Sequence, residues 1–186
     1  MPKTITLEAT GETITFHRSA EETNGELVET IVTLPASGDG PPMHRHVLQS
    51  ETFEAIDGRL GVDHGDKKIV LQPGESYTVP ANELHRCYSA EGKEIRFKAT
   101  FSPALNIEYV LTEIFGSCNR KRSKDPSPFD ACYVLRQAKG EYLLGDVPVF
   151  VQRTIFPMTA IFGKLFGLVK AKPMEVRNFG QYRKKQ

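Results

Sequence analysis

Three features are scarce or missing in this sequence, and each absence narrows what the protein can be. The three cysteines, Cys87, Cys118 and Cys132, are odd in number and form no CxxC pair, so we expect reduced thiols rather than a disulfide framework. No nucleophile elbow, phosphate loop or dinucleotide fingerprint is present. The amino terminus, MPKTITLEATG, lacks the apolar core of a signal peptide, which predicts a cytoplasmic protein.

Uninterrupted hydrophobic runs are also missing. The most apolar segment, VPVFVQRTIFPMTAIFGKLFGLV at residues 147–169, is nearly long enough to span a bilayer, but Arg153, Pro157 and Lys164 interrupt it. Buried charges make insertion costly. We therefore expect this segment to pack against the rest of the protein or a second subunit, and we do not expect membrane contact.

The charge of the chain is balanced overall but unevenly distributed. The net charge is +1, yet residues 1–101 carry 10 basic and 16 acidic side chains, whereas residues 102–186 carry 14 and 7. Opposite net charges on the two halves favour docking of the basic half on the acidic half of the same chain or of a partner. Binding of the basic half to an anionic membrane surface or to nucleic acid is the alternative, and we do not expect nucleic acid as a partner.

Short strands separated by turns dominate residues 1–101. Alternation of apolar and polar residues is clearest in Glu94–Phe101, where Ile95, Phe97, Ala99 and Phe101 share one face. Hairpin signals join Thr4–Glu8 to Thr13–Arg18 and Leu60–His64 to Lys67–Leu71. Even spacing of short strands predicts a mainly β jelly roll, with no convincing helix in this half.

The pattern becomes helical after Phe101, which predicts a β domain at 1–101 and a helical extension at 102–186. Ser102-Pro103 predicts the start of a first helix that ends at Gly116, followed by a polar loop over Ser117–Lys124. A second helix is predicted from Ser127-Pro128 to about Gly140. A third element, capped by Asp146, should run from Val147 to about Val169 and be kinked or split at Pro157.

The stretch GDGPPMHRHVLQSETFEAIDG, residues 38–58, contains the most informative constellation. His44 and His46 are two residues apart, so on a strand both imidazoles point to the same face. Glu51 follows at an offset of five, which flips the face unless the strand breaks or bulges within Val47–Ser50. Two imidazoles and a carboxylate suit a divalent metal such as iron, manganese, nickel, copper or zinc.

These residues resemble the first motif of the cupin superfamily, in the spacing Gly38-x5-His44-x-His46-x4-Glu51-x6-Gly58. The second cupin motif is similar to Gly74-x5-Pro80-x-Asn82-x2-His85-x3-Ser89. Here Asn82 replaces a turn glycine and Ser89 replaces a terminal asparagine. Asn tolerates left-handed backbone angles better than most residues. The resemblance covers residues 26–101.

The resemblance implies a jelly-roll barrel of the small, single-domain cupin type with a quercetinase-like metal site. It implies one divalent ion held by His44, His46, Glu51 and His85, with Glu51 also able to act as a base. Small cupins of this kind often carry helices after the barrel and form homodimers, so we expect a homodimer. We expect the substrate pocket to include Met43, Phe53, Cys87 and Phe97.

Three functions remain open at this point, because one fold hosts unrelated chemistries. The first is a metal-dependent dioxygenase acting on a small aromatic or enolic substrate. The second is a metal-dependent isomerase, lyase or decarboxylase of a small acid, and the third is a non-catalytic barrel that binds or senses a small molecule. Phe53, Phe97 and Phe101 favour an apolar or aromatic ligand over a sugar phosphate.

Overall fold

The chain folds as two antiparallel β-sheets followed by helices, in a computed structural model that describes residues 3–36 and 38–175. The strands of the first half are β1 Lys3–Leu7, β2 Glu12–Arg18, β3 Val28–Leu34, β4 His44–His46, β5 Ser50–Asp57, β6 Leu60–His64, β7 Lys67–Leu71, β8 Ser76–Val79, β9 His85–Ser89 and β10 Ile95–Ser102. The second half contains α1 Ile107–Lys121, α2 Pro128–Gln137, β11 Tyr142–Leu144 and α3 Val149–Leu165. Residues 176–186 of the predicted extension lie outside the described residues.

The strands form a six-stranded sheet in the order β1-β2-β3-β10-β5-β8 and a five-stranded sheet in the order β11-β4-β9-β6-β7. Both predicted hairpins are present, with Ile5 opposite Ile14 and Val62 opposite Ile69. The predicted alternation of β10 is also confirmed, because Ile95, Phe97 and Ala99 are buried. The expected mainly β jelly roll with a helical C-terminal part is therefore the observed fold.

The core lies between the two sheets and continues under α1. Phe53, Leu34 and Ile95 are among its largest fully buried side chains. Ile107 and Phe115 of α1 belong to the same cluster, whereas Val134 of α2 and Ala160 of α3 belong to a second, smaller cluster. The first helix thus covers the barrel, and the other two pack mainly outside it.

The predicted start and end of the first helix are wrong. Ser102 is the last residue of β10, and the helix begins five residues later at Ile107. It also continues through Gly116 to Lys121, so part of the predicted polar loop is helical. Gly inside a helix costs only about 1 kcal/mol, and the burial of Ser117 and Cys118 on this last stretch offsets that cost.

The third helix also differs from its prediction. It begins at Val149 after Pro148, so Asp146 does not cap it, and it runs as one helix through Pro157. Packing against α2 stabilises the turn that the proline weakens, because Ala160 and Gly163 are buried there. The second helix begins at Pro128 as predicted. Strand β11 was not predicted at all.

All three cysteines are free and buried, in agreement with the expected reduced thiols. Among the described residues, no helix combines the length and apolar character needed to cross a membrane.

Candidate metal centre

The structure brings the four side chains of the predicted ligand set together in the interior. His44 and His46 lie on β4, His85 lies on the neighbouring strand β9, and Glu51 lies on β5 of the other sheet. His44 is paired directly with His85 in the strand register. All four side chains are buried, and one ligand atom from each lies within 4.8 Å of the others.

The face change demanded by Glu51 is achieved by a change of sheet. The chain leaves the five-stranded sheet after His46 and enters the six-stranded sheet at Ser50. Residues 47–49 make this crossing, so Glu51 points back across the barrel toward the imidazoles. The break predicted within Val47–Ser50 is therefore present.

The imidazoles turn the same nitrogen toward the carboxylate. Oε2 of Glu51 lies 2.8 Å from Nε2 of His85, 3.1 Å from Nε2 of His46 and 3.9 Å from Nε2 of His44. The Nε2 atom of His46 is buried but has no hydrogen-bond partner. Such an orphaned buried nitrogen is costly unless another group binds it.

Carbonyl oxygens hold the opposite nitrogen of each ring. Nδ1 of His44 lies 2.8 Å from the carbonyl oxygen of Pro42, and Nδ1 of His85 lies 2.9 Å from that of Glu83. A carbonyl oxygen can only accept, so each Nδ1 carries the hydrogen. In the neutral rings, Nε2 then carries the lone pair that a metal ion requires.

Gln49 plays the same role for His46, and sequence reasoning missed it. Nδ1 of His46 lies 3.1 Å from Oε1 of Gln49, while Nε2 of Gln49 donates to the carbonyl oxygens of Pro103 and Ala104. These two acceptors fix the amide so that its oxygen faces His46. The only signal in the sequence is that Gln49 lies in the predicted break between two ligands.

The electrostatics of the four groups match a site for a cation. Burial lowers the pKa of His44 to about 3, and the nearby His46 and His85 rings add to this effect. Burial opposes ionisation of Glu51, but its contacts with His46 and His85 hold the pKa of Glu51 below its ordinary value. For His85, burial is outweighed by the hydrogen bond that Nε2–H of the charged ring donates to Glu51, so its pKa is raised; a metal ion would replace this proton.

The four side chains fit a divalent metal ion. Three buried imidazoles present Nε2 to one buried carboxylate, and each ring is held by an acceptor on its far side. This donor set of nitrogen and carboxylate oxygen suits a borderline divalent metal. The outer hydrogen bonds are of the kind that orient metal-bound histidines.

A cavity of about 320 Å³ opens beside this centre. His44, His46 and Glu51 form part of its wall, and the remaining wall is largely apolar. Strand residues of the wall include Ile14, Val32, Phe97, Ala99, Phe101 and Cys87, and α1 contributes Ile107, Val110, Leu111, Ile114, Phe115 and Cys118. The first helix therefore roofs the cavity.

The four predicted pocket residues have different positions. Cys87 and Phe97 line the cavity. Phe53 and Met43 are not among its lining residues. Phe53 is fully buried, with its ring 6.1 Å from those of His85 and Phe97, and the side chain of Met43 lies close to Gly145. Burial raises the pKa of the Cys87 thiol well above its ordinary value, so this cysteine is a neutral wall group.

Tyr142 is a second site residue that the sequence did not predict. It lies on β11 opposite His46 in the strand register, and its ring stacks on His44 with centroids 4.7 Å apart. Tyr142 lines the cavity. Burial, with a smaller effect of the Glu51 charge, raises its pKa, so the phenol stays protonated.

Comparison with known proteins agrees with this fold. Residues 30–102 match the family model described as the cupin domain, and the chain therefore contains a cupin domain over these residues. The left-handed backbone of Asn82, with φ of 68°, explains how it replaces the glycine expected in the second motif.

Two curated fungal proteins are similar to parts of the chain. One is Oxidoreductase OpS7 of Beauveria bassiana, 44% identical over 48 residues, which are 25% of this chain and 16% of that protein. The other is Epoxidase atD of Aspergillus terreus, 27% identical over 103 residues, which are 54% of this chain and 32% of that protein. The matched region thus spans no more than about a third of either relative.

Among solved structures, KdgF from Halomonas sp. is similar with a TM-score of 0.45 and 18% identity. The match covers 53% of this chain and 85% of that protein.

Proposed function

We propose that this protein is a metal-dependent dioxygenase acting on a small aromatic or enolic substrate. The observation that carries the proposal is the convergence of three imidazole Nε2 atoms on Oε2 of Glu51 at the wall of an apolar cavity. His44, His46, Glu51 and His85 would hold the ion. A bound divalent metal would polarise a substrate oxygen and, if redox-active, allow chemistry with dioxygen.

The cavity supports a small apolar substrate. Its volume of about 320 Å³ lies at the lower end of the range for small-molecule sites. The one basic residue among the described lining residues, Lys124, is largely exposed and pairs with Asp39 at 3.2 Å. A sugar phosphate would therefore find no buried Lys or Arg side chain in this wall, whereas a hydrocarbon ring would contact Phe97 and Phe101.

Two groups of the chain can position such a substrate and handle its proton. The protonated phenol of Tyr142 has no hydrogen-bond partner among the described residues, so it can donate to a substrate oxygen in the cavity. Glu51, held ionised, can accept a proton from a substrate hydroxyl. The side chains that α1 contributes to the cavity wall are apolar apart from the thiol of Cys118, and they place both groups beside a largely apolar surface.

The names of the two curated relatives support redox chemistry, since one is called an oxidoreductase and the other an epoxidase. Their activities belong to proteins of which this chain matches only a part. They therefore favour an oxidative reaction over a non-catalytic barrel without naming a substrate.

A metal-dependent isomerase or lyase is the second candidate, and Glu12 favours it. This carboxyl lines the same cavity as Glu51, and burial raises its pKa to about 7. A carboxyl with such a pKa is suited to move protons at neutral pH. Two acid–base groups in one cavity could then shift a proton without dioxygen.

Oxygen uptake with verified metal loading distinguishes the candidates. Protein purified without added metal would be analysed for its elements, then loaded with iron or manganese and tested with a panel of hydroxylated aromatic and enolic compounds. We expect oxygen consumption that requires both metal and substrate, and that Glu51→Gln reduces more than it reduces metal content. Turnover of a small acid without oxygen uptake would instead support the isomerase or lyase.

A further inference from the structure

Helix α3 has one buried face and one face that nothing in the described chain covers. On the buried face, Gln152 donates to the carbonyl oxygens of Leu144 and Val147 and accepts from the backbone nitrogen of Leu144. Ala160 and Gly163 on the same face are also buried, and Ala160 belongs to the second, smaller cluster, which includes Val134 of α2. These contacts fix how the helix is rotated, and therefore which face it presents outward.

The outward face is almost entirely apolar. Phe150 is 73% exposed, Met158 66% and Leu165 78%, and they recur at helical spacing along one side. Ile155, Ile161, Phe162 and Phe166 are also exposed, each by about half or more, and complete what we call the α3 stripe. A contiguous apolar surface of this kind marks an interaction site in a folded protein.

Positive charge accompanies this stripe. No acidic residue occurs between Val147 and Met174, whereas Arg153, Lys164, Lys170 and Lys172 fall in that range. Arg153 and Lys164 are exposed and lie eleven residues apart, about three helical turns, so they share one side of the helix. They border the α3 stripe, because they lie between its outward residues and the buried face.

We propose that α3 docks the protein on an anionic lipid surface, with the α3 stripe among the acyl chains and Arg153 and Lys164 at the headgroups. An apolar face with a basic border is the pattern of helices that lie in the membrane interface. With 17 residues, α3 is about 25 Å long, which suits lying along the surface. The proposal is independent of the metal site. It replaces the expectation that this segment makes no membrane contact, because that expectation took its apolar side chains to be covered, whereas Phe150, Met158 and Leu165 are exposed.

A second copy of the chain fits the α3 stripe less well. In a symmetric dimer each partner uses the same patch, so two α3 stripes would face each other with Arg153 and Lys164 of both copies along the seam. No acidic residue of the segment 147–174 is available to compensate these charges. Anionic headgroups supply that compensation directly.

Vesicle flotation of the full chain tests the proposal. We would compare vesicles of pure phosphatidylcholine with vesicles of phosphatidylcholine and phosphatidylglycerol in equal amounts, at low and high salt. We expect binding to the anionic vesicles that high salt weakens, since salt screens the headgroup attraction. Absence of binding to the anionic vesicles at low salt would overturn the proposal.

Variants on the exposed face separate lipid docking from other roles. The triple variant Phe150→Ser, Met158→Ser, Leu165→Ser removes apolar contact from side chains that are already exposed, so its unfolding temperature should stay close to that of the unaltered chain. We expect it to lose more than about tenfold in vesicle binding. The double variant Arg153→Glu, Lys164→Glu should lose the preference for anionic vesicles.

Matched controls remove exposed apolar residues elsewhere. Leu48→Ser and Val70→Ser alter side chains that are 44% and 39% exposed on the barrel, and vesicle binding should not change. Light scattering without lipid tests the alternative that a second copy of the chain covers the α3 stripe. A stable dimer that the triple variant converts to a monomer would show that a second copy covers the α3 stripe, and would overturn lipid docking.

Discussion

Gln49 holds His46 in place through a hydrogen bond of 3.1 Å between its Oε1 and the Nδ1 of the ring. The amide itself is clamped by the carbonyl oxygens of Pro103 and Ala104, which lie where the barrel ends and the helical part begins. The orientation of one ligand of the candidate metal centre therefore depends on the segment that follows β10.

Replacement of Gln49 should weaken metal binding without removing a ligand. In Gln49→Leu the His46 ring loses the acceptor that keeps its hydrogen on Nδ1, so we expect metal affinity to fall about tenfold to a hundredfold. Competition with a coloured chelator would measure this. Gln72→Leu, at an exposed position, is the control, and equal affinity in both variants would show that Gln49 has no such role.

Removal of a ligand should have a larger effect. We expect His44→Ala and His85→Ala each to lose the bound metal on dialysis, because the remaining groups no longer surround the ion. Elemental analysis of each purified variant would measure the metal content per chain. His17→Ala changes an exposed histidine on β2 and should keep the metal, whereas a full complement in either ligand variant would contradict the assignment.

Tyr142→Phe should separate substrate handling from metal binding. The variant keeps the ring that stacks on His44 but loses the hydroxyl of this cavity-lining residue. We expect an unchanged metal content and a fall in kcat/KM for oxygen uptake of about tenfold to a hundredfold, the cost of one lost hydrogen bond to substrate. Tyr88→Phe alters a tyrosine that does not line the cavity and should leave kcat/KM unchanged. A fully active Tyr142→Phe would place the hydroxyl outside the reaction.

The stability of the protein should depend on the ionisation of Glu12. Burial raises the pKa of this carboxyl from 4.5 to about 7 in the folded chain, so between these values the unfolded state binds fewer protons than the folded state. The contribution of Glu12 to the free energy of unfolding therefore falls as pH rises through this window; it is complete below about 4.5 and is lost above about 7. This contribution amounts to about 3 kcal/mol.

Glu12→Gln tests this dependence, because the amide stays neutral at every pH. Urea unfolding at pH 5 and pH 8 should show that the variant loses less stability than the unaltered chain over this interval. Glu8→Gln, which alters an exposed carboxyl on the same hairpin, should lose as much as the unaltered chain. Identical pH dependence in the Glu12 variant would show that this carboxyl is ionised in the folded state.

The elements that sequence reasoning placed poorly all depend on distant contacts. The start of α1 was predicted from Ser102-Pro103, yet Ser102 continues β10 because it pairs with Ser50 of β5. The strand β11 has only three residues, and its pairing with β4 rather than its own pattern makes it a strand. Local propensity carries too little free energy to outweigh such tertiary contacts.

The amino-acid sequence by itself determined which side chains of a strand share a face, because this depends only on the two-residue repeat of the extended backbone. It placed His44 and His46 on one face, required a break before Glu51, and set the alternation that buries Ile95, Phe97 and Ala99. Tertiary structure alone decided which distant groups complete the site, namely Gln49 clamped by the chain after β10 and Tyr142 stacked on His44. It also decided that the apolar side of α3 faces outward, because helical periodicity shows that a face is apolar but only packing determines which face meets the core.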